Sequence, residues 1–389
     1  MKMGFKICIV IILGCFSCKQ EQSHFELVAE LEKEHILKEA EKYFNAKPIT
    51  VTAETSERSA GGQHDFYSEG DYWWPNPKQP DSAYMRKDGL TNPDNFVAHR
   101  LAMTRFSQLS GALASAYLIT EDNKYINDLI PHLKAWFVNK DTKMNPNLLY
   151  AQAIKGKVTG RGIGIIDTVH LVEVAKAIQV VEKSKLIEAE DLKAIKSWFS
   201  EYLTWLTTHK FGQKEKYNGN NHSMCWAMQV AAFAELTSNR TDLDEMRDFY
   251  KEVLLPEQLA SDGSFPKETA RTKPYGYSLF NLDAAFGLVQ ILHTEEKPLF
   301  DYKTDDGRDL QLAVSFIEPY INDRSKWPFQ QDVLYWEDWP SKHSSFLFAG
   351  LAYDEKELVD IWKSLPELLK KQEIIRNMPI RYPILWVSH

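Results

Sequence analysis

Apolar positions along the chain recur at steps of three and four residues, the spacing of a helix face, and seldom at every second residue as in a half-buried strand. Residues 25–44 show it first, with Leu27, Val28, Leu31, Ile36, Leu37 and Ala40 in helical register. The same pattern predicts helices near 96–118, 122–138, 166–182, 189–208, 222–238, 241–255, 277–293, 308–319 and 355–371. Strand-like alternation is confined to an extended stretch near 382–387. About ten helices joined by short links predict one all-α domain whose successive helices pair antiparallel. No residue-level repeat marks a solenoid.

Two segments break the helical rhythm. Residues 62–96, "GQHDFYSEGDYWWPNPKQPDSAYMRKDGLTNPDNF", are rich in Gly, Pro, Asn and aromatics, and residues 145–167 read "NPNLLYAQAIKGKVTGRGIGIID". Connections of this length inside a compact domain usually carry function. Gly160, Gly162 and Gly164 suggest a nucleotide-binding loop, but the sixth position of that fingerprint is Ile165 and no strand pattern precedes it. A Gly-x-Ser-x-Gly elbow and His-Glu-x-x-His spacing are both absent. The sequence therefore calls for no metal and no cofactor.

The first twenty residues, "MKMGFKICIVIILGCFSCKQ", have a basic start at Lys2 and Lys6 and an apolar run from Ile7 to Leu13 that is too short for a membrane span. They read as a lipoprotein-type signal over residues 1–18, with Cys18, or else Cys15, as the lipid-modified residue, and residues 19–389 as the mature domain. The expectation is an exported protein, periplasmic or lipid-anchored at the outer membrane, touching membrane only through that anchor. Cys225 is then the sole cysteine of the mature chain, so neither a disulfide framework nor a zinc cluster is expected.

A net charge of -8 argues against a nucleic-acid surface, which needs a clustered basic face. Eleven Trp and 17 Tyr offer flat faces on which sugar rings stack. Against that background, "YNGNNHSMCW", residues 217–226, places amides and a histidine directly before an apolar helix. Asn221 or Ser223 can serve as its N-cap. Alternatively, Asn221 and His222 face an anion. In "FPKETARTKPYGYSLFNLDAA", 265–285, Glu268 and Arg271 lie three apart, fit for a surface pair on one helical turn, and Tyr275 and Tyr277 open the next helix.

Together, Asn, His, Arg and Tyr suit one demanding reaction. In a uronic acid the C5 hydrogen is α to the C6 carboxylate, and its removal adds charge to a group already anionic. Amide, imidazole and guanidinium donors can neutralise that charge. A phenol whose pKa is lowered by a neighbouring Arg can take the C5 proton and return one to the O4 leaving group.

"NNHSMCWA" and "ETARTKPYGYSLFNL" resemble motifs of the alginate lyase superfamily, and the two interrupting segments resemble two further blocks of it in the same order. The likeness is to polysaccharide lyase families 5 and 38, family 38 above all because of the long "DYWWPNP" block. It implies an α/α toroid, an incomplete α/α barrel, that cleaves a polyuronate such as alginate by β-elimination. It makes Asn221, His222 and Arg271 carboxylate neutralisers, with His222 a base for one epimer, and Tyr277 the acid and base. Trp73, Trp74, Arg86, Gln152, Arg161 and Tyr275 become subsite residues. The implied partner is an anionic polysaccharide, and monomer and homodimer both stay open. Three rivals remain at this point. They are a glucuronan lyase of the same fold, an inverting glycoside hydrolase drawing on Glu337 or Asp338, and a non-catalytic glycan-binding lipoprotein.

Overall fold

Ser23 opens the first helix, α1 (His24–Tyr43): its hydroxyl accepts the Glu26 amide while the Glu26 carboxylate accepts the Ser23 amide, a closed capping box. The computed structural model describes residues 22–79, 81–367 and 371–387, so the signal segment with Cys15 and Cys18 lies outside it. After α1 come α2 (Ala98–Thr120), α3 (Asn123–Phe137), α4 (Leu171–Ser184), α5 (Ala189–Thr208), α6 (Lys210–Lys216), α7 (Asn221–Leu236) and α8 (Arg240–Phe249). They are followed by α9 (Leu255–Gln258), α10 (Pro266–Thr269), α11 (Pro274–Leu292), α12 (Leu310–Asn322), α13 (Ser344–Ala352), α14 (Lys356–Ser364), α15 (Gln372–Arg376) and α16 (Ile384–Val387).

Helices α2, α4, α7, α11 and α13 form an inner layer. Along it α2 packs on α4, α4 on α7, α7 on α11 and α11 on α13, with the α7–α11 contact the most extensive. A helix apolar on every side has to be buried. Accordingly, every residue of α11 except Gln290 is buried, and in α7 only His222 and Glu235 escape burial. The outer helices are amphipathic. In α14, Leu358, Val359 and Trp362 turn inward against α13 while the charged residues face out. α16 packs on α1, α2 and α4, bringing the C-terminal segment back to the first helices. The result is an all-α, toroid-like arrangement of two layers.

Several boundaries differ from the sequence pattern. The helix predicted over 166–182 starts only at Leu171, after a 3-10 stretch at Gly162–Thr168. The one predicted over 355–371 stops at Ser364, because Pro366 disfavours helical backbone in the residue before it. The expected extended stretch at 382–387 is instead the single-turn helix α16.

The two interrupting segments fold over one end of the ring. The first carries β1 (Tyr67–Glu69), β2 (Trp73–Trp74) and β3 (Met85–Arg86), and the second carries β4 (Tyr150–Ala153). β1 pairs parallel with β4, and β2 antiparallel with β3. The glycines of 160–164 serve this packing. A Cβ at Gly160 would lie 1.9 Å from the Leu149 carbonyl oxygen, and one at Gly164 would lie 2.7 Å from that of Ala151. Gly160 and Gly164 let the chain run against the backbone of β4 and the residue before it, and Gly162 lets it run against Phe211 of α6, so close packing accounts for all three. Gly160→Ala is expected to destabilise the fold by about 1–3 kcal/mol, the usual cost of overpacking, in a denaturant titration. An unchanged midpoint would show that the loop yields freely.

Candidate active site

The N-termini of α7 and α11 converge on a cleft of about 350 Å³, roofed by the β-bearing loops. At α7 the cap is Asn220, rather than Asn221 or Ser223: its side-chain oxygen accepts the His222 amide at 3.1 Å. Asn221 is thereby the first helical residue. Its backbone N–H donates to Glu268 Oε1 at 2.6 Å and its side-chain Nδ2 to Oε2 at 2.9 Å. Glu268 is buried; burial pushes its carboxyl up to about 7, against the pull of the Asn221 donors, Arg271 and His222. One amide hydrogen of Asn221 is left for a ligand.

His222 donates Nδ1–H to Oε1 of the fully buried Glu215 at 2.6 Å. A carboxylate on Nδ1 fixes the tautomer, so in the neutral ring the Nε2 lone pair is the free one. His222 lines the cleft.

The start of α11 is fixed by another buried carboxylate, Asp332, which accepts the Tyr275 and Gly276 amides at 2.8 and 2.9 Å. One turn earlier, Arg271 does not pair with Glu268 on the surface. Its guanidinium reaches Asp88 at 3.3 Å and stands 4.8 Å over the Tyr277 ring. Asp88 also takes Arg86 at 2.6 Å and the Thr272 hydroxyl at 3.1 Å. Tyr277 Oη lies 2.5 Å from Tyr72 Oη, and Tyr72 in turn accepts Lys273 at 3.5 Å. Behind them Lys273 pairs with Glu373, Arg376 with Glu373 and Asp71, and Arg100 with Asp71. Burial pushes the Tyr277 phenol well above its ordinary value, Glu373 adds to the rise, and Arg271 offsets only part of it. The expectation that Arg271 makes this phenol a better base is thus corrected: desolvation wins.

Of the loop residues singled out in the sequence, Trp73, Arg86, Gln152 and Arg161 line the cleft. Gln152 has a left-handed backbone at φ 50°, held by its N–H to Ser68 Oγ and by Arg161, which donates to its carbonyl at 3.0 Å and its Oε1 at 2.9 Å. Its evident work is to aim Arg161, whose guanidinium burial pulls down to about 10. Trp74 is not in the cleft lining; its indole donates to the Leu90 carbonyl and Lys87 covers its ring. Tyr275 is a second correction. It is fully buried, donates to the Tyr320 carbonyl at 3.0 Å and packs on Trp327 and Trp336, away from the cleft. Glu337 lies outside as well, with an 83% exposed side chain paired to Arg324. Two carboxylates line the cleft, both buried: Arg100 and Arg376 hold Asp71 well below the usual range, and Asp167 accepts the Ser68 hydroxyl and the Gln152 amide.

Tyr72, Lys273, Glu215, Arg376 and Asn377 were not singled out from the sequence. Tyr72 sat inside the quoted "DYWWPNP" block, but Arg376 and Asn377 close the cleft from α15 with no motif to flag them.

The alginate lyase family profile matches residues 50–327, more than half of the chain. The chain belongs to the alginate lyase family. Its fold is close to the crystal structure of an alginate lyase from Bacteroides ovatus, with 29% identity and a TM-score of 0.81 over 93% of this chain and 97% of that one. An alginate lyase of a Sphingomonas species shares the fold at 13% identity and a TM-score of 0.53, covering 88% and 90% of the two chains. A histidine-to-alanine variant of that enzyme, complexed with a tetrasaccharide, aligns at 13% identity and a TM-score of 0.56, over 94% and 95%. No curated protein sequence matches the chain. As a member of this family the protein is a polysaccharide lyase, and its toroid is the family's fold.

Glu268 gives the lyase a pH signature. Its folded value of about 7 lies above the ordinary 4.5, so the folded state disfavours the ion. Stability contributed by the neutral acid is present below about 4.5, is lost as pH rises to about 7, and changes no further above. Activity should run the other way, because only the carboxylate accepts both Asn221 donors fully. The expected kcat/KM rises through pH 7 in the wild type. Glu268→Gln, with one acceptor for two donors, should lower the plateau about 10–100-fold and abolish that limb. A limb that survives in the variant belongs to another group.

Proposed function

We propose that this lyase cleaves an alginate-type polyuronate by β-elimination. The observation that carries the reading is the meeting, in one cleft, of the Asn221 amide, the His222 imidazole, the Arg271 guanidinium and the Tyr277 phenol. Asn221 and Arg271 bind the C6 carboxylate and stabilise the charge that grows when H5 leaves. His222, with Glu215 on Nδ1, takes H5 on Nε2. Tyr277, kept protonated by burial, gives its proton to the O4 leaving group. In mannuronate H5 and O4 lie on one face of the ring and in guluronate on opposite faces, so the preferred polymer reports whether the two groups act from one side or from two.

An anionic substrate suits the lining. Arg86, Arg161, Arg271 and Arg376 all border the cleft of a protein whose net charge is -8. Alginate is favoured over other polyuronates because the Bacteroides ovatus neighbour is an alginate lyase. The signal-like N-terminus fits an exported, lipid-anchored enzyme working on polymer outside the cytoplasm.

The test is ultraviolet absorbance of the conjugated C4–C5 double bond on polymannuronate, polyguluronate and glucuronan. Tyr277→Phe and His222→Ala should each cost ~10²–10⁴-fold in turnover, and Asn221→Ala ~10²–10³-fold. Tyr275→Phe should leave the rate near wild type. Turnover in Tyr277→Phe above a tenth of wild type sinks the assignment, and activity on glucuronan alone replaces alginate as the substrate.

A further inference from the structure

Strands β1 and β4 separate the catalytic cleft from a second groove of about 820 Å³. Residues of the two strands and of the loop after β1 divide between the two. Gln152 borders the cleft while Ala153 borders the groove, and in the first loop Asp71 borders the cleft and Glu69 the groove. The charges along the groove are Arg58, Lys155, Lys157 and Lys210 against Glu69 alone. Glu69 is already committed, to Arg58 at 2.7 Å and to the Phe96 amide at 2.7 Å. Lys155, Lys157 and Lys210 are exposed, and among the described residues no carboxylate lies within ion-pair reach of them.

Two of these lysines sit on a built turn. The Ile154–Val158 bridge closes a tight hairpin with Lys155, Gly156 and Lys157 at its tip. Gly156 has φ +75° and lies so close to Ala83 that a Cβ would meet its Cα at 2.8 Å, and Tyr84 N–H donates to the Lys155 carbonyl at 3.1 Å. Lys157 stands 5.4 Å from the Trp73 ring, and Arg161 stands 5.9 Å from the same ring. Trp73 and Arg161 belong to the cleft. Positive groups therefore continue from Arg161 past Trp73 to Lys157, Lys155 and Lys210. A channel lined by one sign of charge concentrates its counter-ion.

We propose that this groove is an accessory track for the polyuronate substrate, on which uronate units beyond the cleft lay their carboxylates against Lys155, Lys157 and Lys210. The proposal rests on the reading of the cleft as a polyuronate lyase site. It makes the enzyme discriminate by length, favouring polymer over short oligomers that fill the cleft alone.

The experiment compares kcat/KM on long polymannuronate and on a purified mannuronate trisaccharide for the wild type and for Lys155→Gln/Lys210→Gln. These two lysines lie clear of Trp73, so a loss cannot come from disturbing the cleft wall. The variant should lose roughly fivefold on the polymer, mostly as a higher KM, the worth of two exposed charge contacts, with the trisaccharide rate as its internal reference. Its polymer rate should also depend less steeply on salt, and Lys155→Arg/Lys210→Arg should restore the wild-type ratio. An unchanged polymer-to-trisaccharide ratio overturns the track and leaves the cleft reading standing. So does an equal loss on both substrates. A wild type inactive on both substrates overturns the cleft reading and the track with it.

Discussion

A buried carboxylate at the head of α7 decides where the rest of the site can stand. Glu268 takes the first backbone N–H of the helix and the side-chain amide of Asn221, so one residue sets both the helix end and a cleft-lining donor. His222 follows by one position and is locked from behind by Glu215. A helix N-terminus attracts anions, and here the protein supplies its own. What remains for an external anion is the side-chain layer, Asn221 and Arg271, rather than the backbone.

The opposite wall depends on a second set of buried charges. Asp71, Arg100, Arg376, Glu373 and Lys273 form a linked series that ties the first loop to α2, α11 and α15. Ions this deeply buried are tolerated only in pairs, since removing one partner strands the other. The series therefore contributes position more reliably than stability, and the position it sets is that of Tyr72 beneath the Tyr277 phenol. The same burial keeps Tyr277 protonated, which suits it to donate a proton, and hands the task of taking one to the more exposed His222. Chemistry is divided by environment as much as by residue type.

The helical rhythm of the chain was legible because the outer helices are amphipathic. α13, "SSFLFAGLA", was missed because a helix buried on all sides has no polar stripe to reveal it. Tyr275 and Tyr277 could have been told apart by geometry alone: two residues along a helix turn a side chain by about 200°, so only one of them can face the cleft. The pairing of Arg271 with Glu268 looked natural from their spacing. The partner is Asp88, brought by a loop from the other half of the chain, and the spacing carries no trace of it. Burial, which reversed the expected shift of the Tyr277 phenol, is a property of the assembled ring and not of any local stretch.

All of this converges on elimination rather than hydrolysis, and the two differ in what water does. The most direct measurement digests the polyuronate in water enriched in heavy oxygen and weighs the products by mass spectrometry. Elimination predicts that products trapped by immediate borohydride reduction, before the anomeric hydroxyl exchanges with solvent, carry no heavy oxygen at the new chain ends, and that each new non-reducing end is lighter than its hydrolytic counterpart by one water. Heavy oxygen incorporated at the cleaved bond would contradict it.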